Sequence, residues 1–137
     1  MPEKYYLDTA IWIDYYENRK DKYRPLGEWA HKLLSLIEEG GHIIIVSDII
    51  IRELGNHLTN EQIQTILKAY QKNIIQVGLS EAQYREAREL AKAHDIPAGD
   101  AFHIIIFRDN QAILVTRDHH FEGFKDIVEI AKPEEII

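Results

Sequence analysis

Cysteine is absent from the chain. That excludes a disulfide framework, a thiolate nucleophile and any Cys-based zinc site, and it agrees with a reducing compartment. Long apolar runs are missing too. Stretches such as Ile43–Val46 and Ile104–Phe107 fall far short of the roughly 20 residues that span a bilayer. The opening MPEKYY has neither a basic region nor a long apolar one, so no signal peptide is expected. These absences predict a cytoplasmic protein with no membrane contact. Positive charge is also scarce: Lys and Arg number 16 against 23 Asp and Glu, for a net charge of −7. A simple basic nucleic-acid-binding module has the opposite balance. A nuclease remains compatible, because an acidic active site filled by divalent cations contributes much of such a deficit; a basic partner would fit as well.

No repeat, linker or low-complexity segment interrupts the 137 residues, a length that predicts about one domain, residues 1–137. Such a domain can bury roughly two-thirds of its unfolded surface. The organising stretch is Lys4–Asp14, KYYLDTAIWID. Tyr5, Tyr6 and Leu7 read as a buried strand that delivers Asp8 at its C-terminal end, at the turn into a helix. Ala112–Asp118, AILVTRD, repeats that grammar. Ile43–Val46 and Ile74–Val77 are further short strands, and Ile127–Ile130 is expected to be the last; the tail from Pro133 carries no strong signal.

Helices fill the intervals. Pro25 opens one whose Leu26, Trp29, Ala30, Leu33, Leu34 and Ile37 share a face, and Gly40-Gly41 ends it. Ser47 and Asp48 are both possible caps for a helix carrying Glu53. Thr59–Gln62 and Ser80–Gln83 have capping-box spacing. Pro97–Asp100 begins a helix whose Ala101–Phe107 is apolar nearly all round, hence buried. Strands alternating with amphipathic helices predict an α/β fold: right-handed βαβ units and a central parallel sheet of four or five strands flanked by helices.

Ligands bind beyond the carboxyl ends of strands in such sheets, and four acids are expected there. Each has an ordinary alternative. Asp8 and Asp118 could cap the elements that follow them, Asp100 could complement a helix dipole, and Glu53 could be a solvated helix residue. Together they mean more. At ~4 Å and an effective dielectric near 20, each carboxylate pair repels by about 4 kcal/mol. A cluster must therefore share protons or hold a cation. Oxygen-only ligands suit Mg²⁺ or Mn²⁺, and such sites hydrolyse phosphodiesters.

YLDTAIWID, SDIIIREL, PAGDAFHI and LVTRDHHF stand in the order and at the spacing of the PIN-domain ribonucleases, which the chain resembles over nearly its whole length. The VapC-type toxins of prokaryotic toxin–antitoxin pairs are the most similar members. The resemblance implies a three-layer domain and carries the family's acids to Asp8, Glu53, Asp100 and Asp118, with Thr116 beside the last. It implies a Mg²⁺- or Mn²⁺-dependent endoribonuclease that cleaves single-stranded or loop RNA by in-line attack of metal-activated water. It further implies a cognate antitoxin and a homodimer. Many relatives carry a second acid or Asn where this chain has His119, which leaves one or two ions open.

Other residues compete for a role. Arg19, Lys20, Lys22 and Arg24, with Tyr15, Tyr16 and Tyr23 nearby, could grip an RNA backbone and stack bases, or form a solvated loop with some core tyrosines. His103 shares a helical face with Asp100 and is read as a hydrogen-bonded core histidine, with contact to the scissile phosphate as the alternative. His119-His120 lack other zinc ligands at a recognisable spacing. Asp14 is read as a surface charge, with an outer position around the acid site as the alternative, and Asp48 as structural, while Ile11, Trp12 and Trp29 belong to the core or a dimer interface. Two other function classes compete. One is a non-catalytic PIN-like RNA-binding or interaction module, which would not need all four acids. The other is a haloacid-dehalogenase-type phosphatase with Asp8 as nucleophile, which wants a second acid where Ala10 stands.

Overall fold

The computed structural model describes residues 2–137. Its elements follow in order: β1 (Lys4–Leu7), α1 (Thr9–Glu17), α2 (Leu26–Glu39), β2 (Ile43–Ser47), α3 (Asp48–Leu54), α4 (Asn60–Ala69) and β3 (Ile74–Val77). Then come α5 (Glu81–His94), α6 (Ala98–Asp109), β4 (Ile113–Val115), a 3-10 turn (His119–Phe124), β5 (Ile130–Ala131) and α7 (Pro133–Ile136). All strand pairs are parallel, in the order β3-β2-β1-β4-β5. Helices cover the sheet in a three-layer α/β/α arrangement, as the alternating pattern predicts. After β3 the chain crosses to the other side of β1 to form β4. The strand order therefore reverses at β1/β4, which is where a crevice opens at the carboxyl edge of such a sheet.

Local chemistry explains most boundaries. Both capping boxes form: Thr59 with Gln62 and Ser80 with Gln83 each exchange side-chain and backbone hydrogen bonds. Ser47 rather than Asp48 caps α3, its Oγ accepting from the Ile50 amide at 3.1 Å. Past α2, Gly41 takes a left-handed φ of +66°, a conformation that costs glycine nothing. The buried faces are those the periodicity marks: Ala30, Leu33, Leu34 and Ile37 of α2, and most of Ala101–Phe107 in α6. Ile11 and Trp12 lie in the core.

Two expectations change. The last strand is not Ile127–Ile130 but Ile130–Ala131. The Ile127 and Val128 amides donate back to the Phe124 carbonyl at 2.9 and 3.1 Å, so they have no free N–H for the sheet. The tail after Lys132 is a short helix with Pro133 in its first turn. Asp14 is not a surface charge: it is 3 % exposed. Its Oδ1 accepts from Arg19 Nε at 2.8 Å, and Arg117 Nε lies 4.0 Å from its Oδ2. Arg117 in turn donates to Glu134 at 2.8 Å and stacks its guanidinium over Trp29. This ion network joins α1, the end of β4 and α7.

Deleting a partnered, buried carboxylate leaves Arg117, whose Nε and Nη2 already lack hydrogen-bond acceptors among the described residues, with less compensation. Asp14→Ala is expected to cost about 1–3 kcal/mol in a denaturant melt, whereas a solvated surface acid would cost under about 0.5 kcal/mol.

Candidate functional site

Asp8 occupies the N-cap position of α1 in extended geometry, yet its side chain makes no capping bond. It turns instead toward β4. Thr116 Oγ1 donates to Asp8 Oδ2 at 2.9 Å and accepts from the Asp118 amide at 3.0 Å. The Asp8 amide donates to the Val115 carbonyl at 3.0 Å. One hydroxyl, 3 % exposed as a residue, thus sets two acids from neighbouring strand ends in a fixed relation. Asp118 also caps the 3-10 turn, its Oδ1 accepting from the His120 amide at 2.9 Å. Both readings of that residue hold at once.

Glu53 comes from α3. Its Oε1 accepts from Thr9 Oγ1 at 2.7 Å and lies 2.9 Å from His103 Nε2. Asp100, in the first turn of α6, accepts no side-chain hydrogen bond among the described residues; its nearest cation is His120, with Nδ1 at 3.9 Å. That ring also sits 3.2 Å from Asp118 Oδ1, so an exposed His120 lies beside both acids. All four acids line one cleft of about 420 Å³, together with Arg19 and His103. The candidate site residues Asp8, Glu53, Asp100 and Asp118 are therefore brought together from four separate elements, with Thr116 beneath them.

The electrostatics follow from burial and crowding. Burial pushes the Asp8 carboxyl above its ordinary value, against the opposing pull of the Thr116 hydroxyl and the Thr9 amide. Asp100 is raised by burial and then by the charge of Asp118. Glu53 goes the other way: burial would raise it, but hydrogen bonds from His103 and Thr9 hold it below the usual range.

A divalent cation is tested against this donor set. Glu53 and Asp118 each commit one oxygen to protein donors, and their second oxygens accept no hydrogen bond among the described residues. Raised carboxyls beside uncommitted oxygens match the chemistry of a hard, oxygen-preferring ion. As placed, however, no three His, Asp or Glu side chains among the described residues are grouped closely enough to hold one.

The basic loop divides. Arg19 reaches the cleft wall, held by Asp14 through Nε and by its own amide on the Asp14 carbonyl at 3.1 Å. Arg24 is tied to Asp21 at 2.5 Å. Lys22 lies over the ring of Tyr23, which is 83 % exposed, and Lys20 makes no ion pair among the described residues. Tyr15 is half-buried against His31 and Tyr70. Sequence reasoning missed Thr9, Tyr6 and His120 as site neighbours. For Thr9 the signal was its place directly after Asp8; Tyr6 offered none, being a β-former inside a strand.

No helix among the described residues is long and apolar enough to cross a membrane. A family model described as the PIN domain matches residues 5–127. No curated protein matches the chain. Among solved structures, VapBC2 from Rickettsia felis bound to a DNA fragment from its promoter aligns at 20 % identity over 94 % of this chain and 98 % of that one, with a TM-score of 0.65. A toxin–antitoxin complex from Klebsiella pneumoniae aligns at 20 % identity over 94 % and 97 %, TM-score 0.65. FitAcB from Neisseria gonorrhoeae aligns at 24 % over 94 % and 97 %, TM-score 0.62.

Because the Asp8 and Asp100 carboxyls are raised on folding, their ionised forms cost stability above the folded pKa. That cost disappears as pH falls through the folded pKa toward the ordinary carboxylate range; Glu53, lowered, contributes stability that is lost on acidification. Asp100→Asn, melted in EDTA, is expected to be more stable than the parent by about 0.5–2 kcal/mol at neutral pH. The gain should vanish in acid. A destabilised variant at neutral pH would refute the repulsion.

Proposed function

The chain belongs to the PIN-domain family, and on that footing we propose that it is a Mg²⁺- or Mn²⁺-dependent endoribonuclease acting on single-stranded or loop RNA, the toxin of a toxin–antitoxin pair. PIN domains are generally nucleases. The observation that carries the proposal is the convergence of Asp8, Glu53, Asp100 and Asp118 on one cleft at the strand-order reversal of a parallel sheet. Nothing in the core requires four acids at one edge, and their mutual repulsion is a cost that a bound cation removes.

In this reading Asp8, Asp100 and Asp118 hold the ion and Glu53 completes or orients its shell. When bound, the ion would supply Lewis-acid stabilisation of charge on the phosphodiester and make water a better nucleophile. The protein's own groups do the rest. Thr116 holds Asp8 and Asp118 in register. Arg19, pinned by Asp14, offers a fixed guanidinium to a backbone phosphate at the cleft wall. The exposed His120 imidazole beside Asp100 and Asp118 stands where it can contact the same phosphate. Lys20 and Lys22, with the exposed Tyr23 ring, extend the contact outward for charge and stacking. The antitoxin and self-association belong to the same reading. The antitoxin is supported by the toxin–antitoxin complexes among the similar folds, and self-association by the family resemblance alone.

The competing reading is a PIN-like interaction module without catalysis. It is favoured by the absence, among the described residues, of three metal-capable side chains in close grouping. Metal binding separates the two. Mn²⁺ or Mg²⁺ is expected to raise the melting temperature of the parent and to leave Asp8→Asn unmoved. RNA cleavage by the pure protein is expected to need the ion, to stop in EDTA and to fall about 10²–10³-fold in Asp8→Asn, the equivalent of several kcal/mol of charge stabilisation. Cleavage surviving that substitution would reject the site.

The loop residues are expected to act unequally. Arg19→Ala should flatten the log–log salt dependence of RNA binding by about 0.7, one lost phosphate contact to a single strand. Arg24→Ala should change it less, because Asp21 already pairs that guanidinium. Equal slopes for both variants and the parent would remove the loop from the interface.

A further inference from the structure

A line of buried polar side chains runs from the middle of the core into the cleft; Ser47 at its inner end also caps α3, but that cap asks nothing of Tyr6 or His103. Ser47, Tyr6 and His103 are 0 %, 0 % and 4 % exposed. The Tyr6 hydroxyl lies 2.7 Å from Ser47 Oγ and 2.6 Å from His103 Nδ1. His103 Nε2 lies 2.9 Å from Glu53 Oε1. Glu53 ends the line in the cleft, its side chain 39 % exposed. Apolar residues of similar size would fill the positions of Tyr6 and His103 without the desolvation that buried hydroxyl and imidazole groups incur.

The hydrogen-bond directions can be assigned. Ser47 Oγ already accepts from the Ile50 amide, so its own proton is free to go to the Tyr6 oxygen. Tyr6 then donates to Nδ1 of His103. That places the ring proton on Nε2, where ionised Glu53, an acceptor only, takes it. Every proton in the line has an acceptor in this direction. Reversing it strands the Ser47 hydroxyl proton. The hydrogen bond at one ring nitrogen sets what the other can do.

We infer that His103 is a positioning residue: locked by Tyr6 at Nδ1, it presents Nε2–H to Glu53 Oε1 and so fixes the carboxylate with Oε2 uncommitted. Thr9 donates to the same oxygen, so both donors converge on Oε1 and neither occupies the other lone pairs. Glu53 sits on a helical side chain with three rotatable bonds. Without this clamp it would sample orientations in the water-filled cleft. The clamp also joins α6 to α3 across the end of β1, so the Glu53 carboxylate and Asp100, both dependent on α6, move together. This inference rests on reading the cleft as an ion-holding nuclease site, and it extends that reading to residues that never touch the ion.

The test uses the full chain and the metal alone as probe, titrating Mn²⁺ into the parent, His103→Leu, His103→Gln and Tyr6→Phe. The Gln amide can place an N–H where Nε2 stood. His103→Leu is expected to weaken Mn²⁺ binding about 10–100-fold, the usual loss when an orienting partner is removed. His103→Gln should restore most of that affinity. Tyr6→Phe, which removes one oxygen and keeps the ring, should weaken binding in the same direction by less, and it keeps the test valid if the Leu variant does not fold. Added to Glu53→Gln, the His103→Leu change should cost nothing further, because it acts only through Glu53. A histidine that merely fills the core would give losses independent of Glu53 and no rescue by Gln; either result overturns the inference. Nitrogen-15 spectra of the metal-free parent separate this from the nuclease reading. If the parent binds no Mn²⁺ but His103 carries its proton on Nε2 and loses that preference in Glu53→Ala, the ion site fails and the clamp stands. A proton on Nδ1 in the parent overturns the clamp whatever the metal does.

Discussion

Like charges brought to one edge of a sheet are the constraint around which this protein is built. Four carboxylates share a cleft, and two of them are driven above their ordinary pKa by burial and, at Asp100, by a neighbouring acid. Such an arrangement survives only because the rest of the fold is over-determined. A parallel sheet whose central strands β1, β2 and β4 are buried supplies the compensating stability. Each strand end is also tied to the next by backbone bonds, as between the Asp8 amide and Val115 and between the Thr116 amide and Ala131. The site is therefore a local cost carried by a global core, which is the usual distribution of stability and function in enzymes.

Small neutral donors control the acids. The Thr116 hydroxyl holds Asp8 and receives Asp118; Thr9 and His103 hold Glu53. None of these brings a fixed cation into the cleft. A positive side chain among the acids would neutralise them directly. The permanent cations stand at the margin: Arg19 is anchored by Asp14, and Arg117 is directed away toward Glu134 and Trp29. Segregating them this way keeps the acids of the cleft uncompensated by a fixed positive charge.

Asp14 shows why position along a helix is poor guidance to burial at its end. Its charge near the end of α1 reads as a surface group, but the left-handed Asn18 at the helix end brings the following loop back over it, so Arg19 covers and pairs with the carboxylate. The last strand illustrates the same limit. Ile127 and Val128 have strand-like chemistry, but the turn begun by Asp118 takes their amides, and the sheet receives Ile130 and Ala131 instead.

Much was determined by the sequence alone. Short β-branched runs alternating with amphipathic helices require parallel strands, because each crossover must return the chain to the same edge. Capping boxes, the Gly40-Gly41 stop and the acids after Leu7 and Val115 are local chemistry, readable within a few residues. Only the tertiary structure decided which groups meet. Asp8 and Thr116 lie 108 positions apart and Tyr6 and His103 lie 97 apart, and no local pattern encodes a contact at such separation. It arises when sheet order places β1 beside β4 and α6 crosses beneath them. The strands could be read because hydrophobic periodicity is a property of the chain. The line from Ser47 through Tyr6 and His103 to Glu53 could not, because a hydrogen bond between distant side chains is a property of the packing.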